Sequence, residues 1–461
     1  MNAINLRTLG SGFGVVAVRA TACGGGAAPA RGGDAVPSEG SAADQPAEQL
    51  DGEVIRDWNR ACYLAAVVDG GYFNKLFFDD RAFTMVALAQ HDALNSIEPR
   101  YEVYAYESKH PGGDPIAAAA QAGHDVLAAM YPAQLESFDK RLAASLEKVP
   151  DGTARSTGIE AGRGAAAAII ANRKDDGLDA QVEYKPKKAV YAWQPTPPLK
   201  IALAPGLGKV RPFALTSTDQ FRPAPPPPLS SKAYAEAYNE VKAVGAMKST
   251  TRTDEQTDIG RFWYEFSGLG WAKVAGAVTS TKKSDPWDTA RALALVHMAL
   301  FDSYLAGFEA KYFYAPTAGW RPYTAIRMAA KDRNPATKPD PKWEPFLGTP
   351  PVPDYPSTHS VLGAAAATVL AGLYGDATPF EFTSGTFIKG IDPAFGPTKV
   401  GAPEGEKRAF ESLSQAAREN ADSRVFIGIH FRFACDAGLE QGKQIGEWVA
   451  ANRLKPRDAS N

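Results

Sequence analysis

From Val54 onward, apolar residues recur three or four positions apart, and no stretch shows sustained two-residue alternation closed by hairpin turns. That rhythm commits the chain to an all-α fold with minor β-structure. The expected helices are Arg81 to Asn95, Pro115 to Met130, Thr157 to Arg173, Ser231 to Met247, Thr253 to Phe266, Pro286 to Phe308, Val361 to Tyr374 and Glu406 to Ala421. Several carry start signals: Asp285 precedes Pro286 as an N-cap, and Asp288 adds a carboxylate to the same first turn. Proline-rich connections interrupt the pattern near the middle. Pro195 to Lys200, and above all the run Arg222 to Ser230, cannot lie inside a helix and should run extended over the surface. They divide the chain into two halves resembling four-helix bundles packed into one domain, residues 51–230 and 231–454, behind a leader of residues 1–50.

The leader has Arg7, a short apolar stretch from Ser11 to Val18, and Ala20-Thr21-Ala22-Cys23 opening a run of Gly, Ala, Pro and Ser. This is the layout of an export signal, with Cys23 as a site for lipid attachment, and a disordered Gly/Ala leader is the alternative. The expected location is therefore periplasmic or extracellular. Beyond the leader, the longest uncharged apolar run, Val361 to Gly375, falls short of the roughly 20 residues that cross a bilayer, so no transmembrane segment is expected. Lys plus Arg is 50 and Asp plus Glu is 52. That balance offers no basic excess for counterion release, so nucleic acid is excluded as a partner. Three cysteines, Cys23, Cys62 and Cys435, are too widely spaced for a disulfide framework or a zinc cluster.

The chemistry gathers in three segments of the C-terminal half. Lys311 stands before Trp320-Arg321-Pro322, and a point charge with a planar guanidinium fork suits a tetrahedral oxyanion. By itself this pair also fits a solvated surface. Asp354-Tyr355-Pro356-Ser357-Thr358-His359-Ser360 leads into a small-residue helix; Ser357 can cap it, its first amides attract anions, and His359 is placed to exchange a proton. A capping serine beside an ordinary histidine is the plainer reading. In Ser423-Arg424-Val425-Phe426-Ile427-Gly428-Ile429-His430, a helix would put Ser423 and His430 on one stripe with Arg424 within side-chain reach, and the alternative is a core histidine. Together the segments read as an oxyanion site. Asp302, on an apolar helix, either orients one of the site's cations or is a satisfied buried carboxylate, and Asp436 is a weaker candidate of the same kind. The segments following Asp92 and Asp302 share a faint helix-then-aromatic echo within the range of coincidence.

Arg-Pro, then Pro-Ser-X-His, then Ser-Arg-X5-His resembles the signature of the superfamily that joins vanadium-dependent haloperoxidases with type 2 phosphatidic acid phosphatases and bacterial acid phosphatases. Asp57-Trp58-Asn59, Phe262-Trp263, Thr349-Pro350-Pro351 and Gly428-Ile429-His430-Phe431 extend the likeness over about Val54 to Val449, in the soluble bacterial haloperoxidase-like branch. The resemblance implies a vanadate cofactor, with His430 bonded to the metal. Arg321, Arg424, Ser357, the amide of Thr358 and Lys311 would hold its oxygens, and His359 would serve as acid and base. The substrates would be hydrogen peroxide and a halide or other small anion. The alternative is a soluble phosphomonoesterase working through a phosphohistidine on His430, since vanadate on histidine has the shape of a phosphoryl-transfer transition state. Homo-oligomerisation is compatible with either.

The sequence departs from the family pattern in several places. Tyr312 to Trp320 separate Lys311 from Arg321, a longer gap than usual, so either a loop Ala315 to Gly319 bulges out or the lysine leaves the site. Thr358 replaces the customary glycine. An insertion is expected around Thr383 to Pro403. Val352 stands where many relatives carry a histidine or aromatic residue that tunes reactivity, which leaves halide preference open.

Overall fold

The computed structural model describes residues 51–68, 77–197, 199, 201–384 and 407–457. The leader with Cys23, and most of the expected insertion, lie outside them. Among the described residues thirteen α-helices carry the fold. In the N-terminal half these are α1 (Glu53–Val68), α2 (Phe78–Ile97), α3 (Pro115–Met130), α4 (Leu135–Leu146) and α5 (Thr153–Arg173). The C-terminal half holds α6 (Lys232–Val244), α7 (Asp254–Phe262), α8 (Ser267–Thr281), α9 (Pro286–Ala318), α10 (Pro322–Met328), α11 (Thr358–Tyr374), α12 (Leu413–Phe426) and α13 (Arg432–Asn452). No described helix is long and apolar enough to cross a membrane.

The organising element is α9, 33 residues long and buried along most of its length. It packs against α2 in one half and α11 in the other, while α13 lies along α11. Its start is the expected one, with the Asp285 side chain accepting from the Asp288 amide and Pro286 in the first turn. Its end is not, because the helix continues through Pro316 to Ala318, past the expected Phe308. The carbonyl of Ala315 accepts from the Trp193 amide at 2.7 Å, and the amide of Gly319 donates to Tyr191 at 2.8 Å, so a crossing strand of chain stabilises the last turn. The residues added between Lys311 and Arg321 are thus helical, and no bulging loop forms at 315–319.

The proline run behaves as expected. Residues 222–228 form no regular element, and their carbonyls accept from tyrosine hydroxyls: Tyr314 to Pro223 and Tyr355 to Ala224, each at 2.7 Å. A different expectation fails at Glu406 to Ala421. Lys407–Phe410 is a strand, β2, antiparallel to β1 (Phe380–Thr383), and the helix starts only at Leu413. The alternation of Phe380, Phe382 and Phe410 explains this, since the three rings gather on one face with centroids 5.3 Å apart for Phe380 and Phe410.

Two buried carboxylates play the same part in the two halves. Asp92 on α2 accepts from the amides of Tyr104, Ala105 and Tyr106. Asp302 on α9 accepts from those of Phe213, Ala214 and Leu215 at 2.7–2.8 Å. Asp302 is therefore a satisfied buried carboxylate that anchors a loop. Asp436 is likewise accounted for at the surface, 2.8 Å from Arg418.

Candidate functional site

The site forms where α9, α11 and the α12–α13 connection converge. Helix α11 begins at Thr358 with Ser357 in the N-cap position. Contrary to expectation, the Ser357 hydroxyl makes no capping bond; it is buried without a hydrogen-bond partner, and so is the Thr358 hydroxyl. The first turn of α11 thus presents amides and an uncommitted hydroxyl to the same space.

His430 does not lie on a helix. Helix α12 stops at Phe426, and Gly428 takes φ +83° with its Cα packed against the backbone of Gly245, where a Cβ would come within 2.2 Å of the Gly245 carbonyl oxygen. Both the dihedral and the close approach require glycine. This turn replaces the expected shared stripe of Ser423 and His430. It directs His430 into the connection before α13, 3% exposed.

Around that ring the contacts are specific. Asp354 Oδ1 is 2.8 Å from His430 Nδ1, and Arg321 Nη1 is 2.9 Å from Nε2. Arg321 is held by the carbonyls of Val352 and Ile429, both at 2.7 Å, and its Nη1 lies 3.8 Å from Asp354 Oδ1. Arg424 is fixed by Ser423 Oγ at 2.9 Å and by the carbonyl of Trp263. His359 Nε2 lies 3.0 Å from the carbonyl oxygen of Glu265, which can only accept, so that nitrogen carries the proton and Nδ1 keeps its lone pair when the ring is neutral. Lys311 is wholly buried, and its ammonium donates to the carbonyls of Pro353 and Asp354 at 2.9 Å and of Pro356 at 2.5 Å. Its three N–H donors match three carbonyls, so it supports the segment from which Asp354 and Ser357 project.

Electrostatics follows from this burial. Arg321 is pushed down to about 10 and Arg424 to about 9, mainly by desolvation. Lys311 falls well below the usual lysine range through burial and then through Arg321. Burial, followed by the neighbouring cations, takes His359 and His430 well below the ordinary histidine value, so both rings are neutral at pH 7. Asp354 rises to about 7 through burial, opposed by Arg321 and Lys311. Two buried guanidiniums and the Lys311 amine therefore face a single buried carboxyl group, an imbalance that a bound oxyanion would correct. Among the described residues no group of three or more His, Cys, Asp or Glu could hold a metal cation, and the donor set here is one for an anion.

Sequence reasoning passed over Asp354, although it stands inside the motif. The only available signal was an acidic residue in a segment otherwise built of prolines and aromatics. The carbonyls of Val352, Trp263 and Glu265, which orient Arg321, Arg424 and His359, carry no sequence signal at all. Val352 itself is buried and contributes its carbonyl to Arg321.

The sequence and the all-α fold are similar to those of known proteins. The family described as the VCPO second helical-bundle domain matches residues 291–457. Vanadium chloroperoxidase from Curvularia inaequalis is 25% identical over 466 aligned residues, 78% of this chain and 75% of that one. The structure of the first bacterial vanadium-dependent iodoperoxidase superposes with a TM-score of 0.73 at 25% identity, covering 91% of this chain and all of that one. A bacterial vanadium-dependent chloroperoxidase in its holo form superposes with a TM-score of 0.61 at 17% identity, over 86% and 92% of the two chains, a likeness of fold. Residues 291–457 thus carry the second helical bundle of the vanadium chloroperoxidases, and the chain has the fold of the vanadium haloperoxidases.

Proposed function

We propose that the protein is a vanadate-dependent haloperoxidase that oxidises halide with hydrogen peroxide. The observation that carries this reading is the buried, undercompensated cluster of Lys311, Arg321 and Arg424 around a neutral His430. The residues fit an oxyanion of vanadate type: the orphaned Ser357 hydroxyl and the open amides of α11 supply donors, and His430 Nε2, which faces Arg321 Nη1 at 2.9 Å, would supply a lone pair. In this reading Arg321, Arg424, Ser357 and the Thr358 amide hold the oxygens, and His430 Nε2 is the direct ligand. Bound there, vanadate supplies a Lewis-acidic centre that activates hydrogen peroxide for oxygen transfer to halide.

The chain's own groups do the rest. The Asp354 carboxylate, 2.8 Å from Nδ1, favours the proton of His430 on that atom, and Nε2, which now faces Arg321 Nη1 at 2.9 Å, would give its lone pair to the ligand. His359, held through Nε2 by Glu265, accepts and returns a proton at Nδ1. Lys311 keeps the 353–356 segment in place and adds positive charge behind it.

A second reading draws on the same pairing of His430 with Asp354. In a phosphomonoesterase, Nε2 would attack phosphorus as the ester P–O bond breaks, His359, having first taken up a proton at Nδ1, would give it to the departing alkoxide, and water activated by the then neutral His359 would release phosphate from His430. A paired assay separates the two. Bromide or iodide oxidation with peroxide after reconstitution with orthovanadate, lost in His430→Ala, supports the oxidase. Ester hydrolysis without vanadate, lost in both His359→Ala and His430→Ala, supports the phosphatase, and oxidation that survives His430→Ala overturns the first reading.

A further inference from the structure

A second, separate cavity of about 560 Å³ lies between α1, α8 and β1, floored by α2 and α9. His297 lines it, and His297 precedes Lys311 by fourteen residues on the same helix, which places the cavity about 21 Å along α9 from the oxyanion site. Phe83, Leu269, Leu293 and Phe382 give it an apolar interior. Gly276 on α8 faces open space, since a Cβ there would meet nothing within 4 Å.

Of its polar groups, Arg56, Asn59, Arg60 and Tyr63 sit together on α1, and two of these are incomplete. Arg56 Nη1 and Asn59 Oδ1 are buried without hydrogen-bond partners, although the amide nitrogen of Asn59 donates to Ile55 and to Gln90. Leaving a buried donor and a buried acceptor unpaired costs free energy, and the two residues share one wall of the cavity. The charges agree. Lys273 is paired with Glu265 and Glu381 with Lys407, whereas Arg60 has no ion-pair partner among the described residues and Arg56 reaches only Asp51, at 3.6 Å. The uncompensated charge is therefore positive.

We propose that this cavity binds an amphipathic organic anion. Its acidic head would be held by Arg56 and Arg60, and an apolar body would lie between α8 and α9. Its volume matches ordinary small-molecule sites.

The test uses 8-anilinonaphthalene-1-sulfonate, which carries an anionic head, an N–H donor and an aromatic body. Fluorescence titration of the full chain should show one saturable site, displaced by decanoate and not by decanol at equal concentration. Gly276→Phe should abolish the signal by filling the cavity, and replacing a helical glycine there leaves thermal stability unimpaired. Arg56→Gln, which keeps the cavity open, should weaken binding at least tenfold. Equal displacement by decanol, binding unchanged in both variants, or no binding overturns the proposal.

Discussion

His430 Nδ1 lies 2.8 Å from Asp354 Oδ1, a pairing of a buried imidazole with a buried carboxylate, both at most 4% exposed at the side chain. A carboxylate so placed favours the proton on Nδ1, and the other nitrogen, 2.9 Å from Arg321 Nη1, is the lone-pair acceptor that a ligand or an electrophile would take over. Asp354→Ala should therefore weaken vanadate or phosphate binding by about 10- to 100-fold, the usual effect of losing the group that orients a metal-bound histidine. Asp354→Asn, which keeps an oxygen beside Nδ1 but not the charge, should lose less. Equilibrium titration of both variants checks this, and equal affinities for Asp354→Ala and the unaltered protein would remove Asp354 from the account.

Lys311 is expected to show its role in stability as well as in binding. Lys311→Met strands three buried carbonyls, those of Pro353, Asp354 and Pro356. The expected cost is about 3 kcal/mol, from the usual 1–3 kcal/mol per unsatisfied buried group with partial relaxation. Urea unfolding reads it. A lysine that only touched ligand would leave the midpoint in place.

How far the sequence reaches is plain from these residues. Arg321, Ser357, His359, Arg424 and His430 were legible because their side chains are of the types an oxyanion needs and follow one another in a specific order. The helix periodicity gave α3 to the residue and placed α2, α5 and α11 within a few positions. What could not be read depends on contacts distant in sequence. The stacking of Phe410 on Phe380 turns a helix-like stretch into a strand, and the packing of Gly428 on Gly245 ends α12 before His430. Trp193, meeting the carbonyl of Ala315, lets α9 run on past Lys311. The uncommitted Ser357 hydroxyl is also invisible in sequence, where a serine before a helix reads as a cap.

Asp302 separates fold from function. Asp302→Asn sets an NH2 group among three amide donors and should destabilise the protein by about 2–4 kcal/mol, as expected when a buried charge-assisted acceptor is lost. Vanadate affinity of the folded fraction should be unchanged. Calorimetric unfolding with a parallel binding titration reads both quantities, and a selective loss of affinity would return Asp302 to the site.

Acid lability has a definite sign at His297, which burial lowers to about 4. Its unfolded value is near 6.5, so between those limits the unfolded chain binds the proton and the folded chain does not. The stability tied to this ring is complete above about pH 6.5. It falls as the pH drops toward 4, by on the order of 3 kcal/mol. His91 has the same sign, and Asp92 and Asp302, raised to about 6 by burial, have the opposite one. Comparison with His297→Leu isolates the single ring: between pH 7 and 4.5 the unaltered protein should lose more stability than the variant in urea melts. Parallel losses would show that His297 is not the group responsible.

The central claim is that His430, among the buried cations, is the seat of a bound oxyanion, and calorimetric titration of the protein with orthovanadate tests it most directly. One site per chain is expected, with competition by inorganic phosphate and at least a 100-fold loss of affinity in His430→Ala with the fold intact by circular dichroism. Binding that is undiminished in His430→Ala, or that phosphate does not displace, would contradict it.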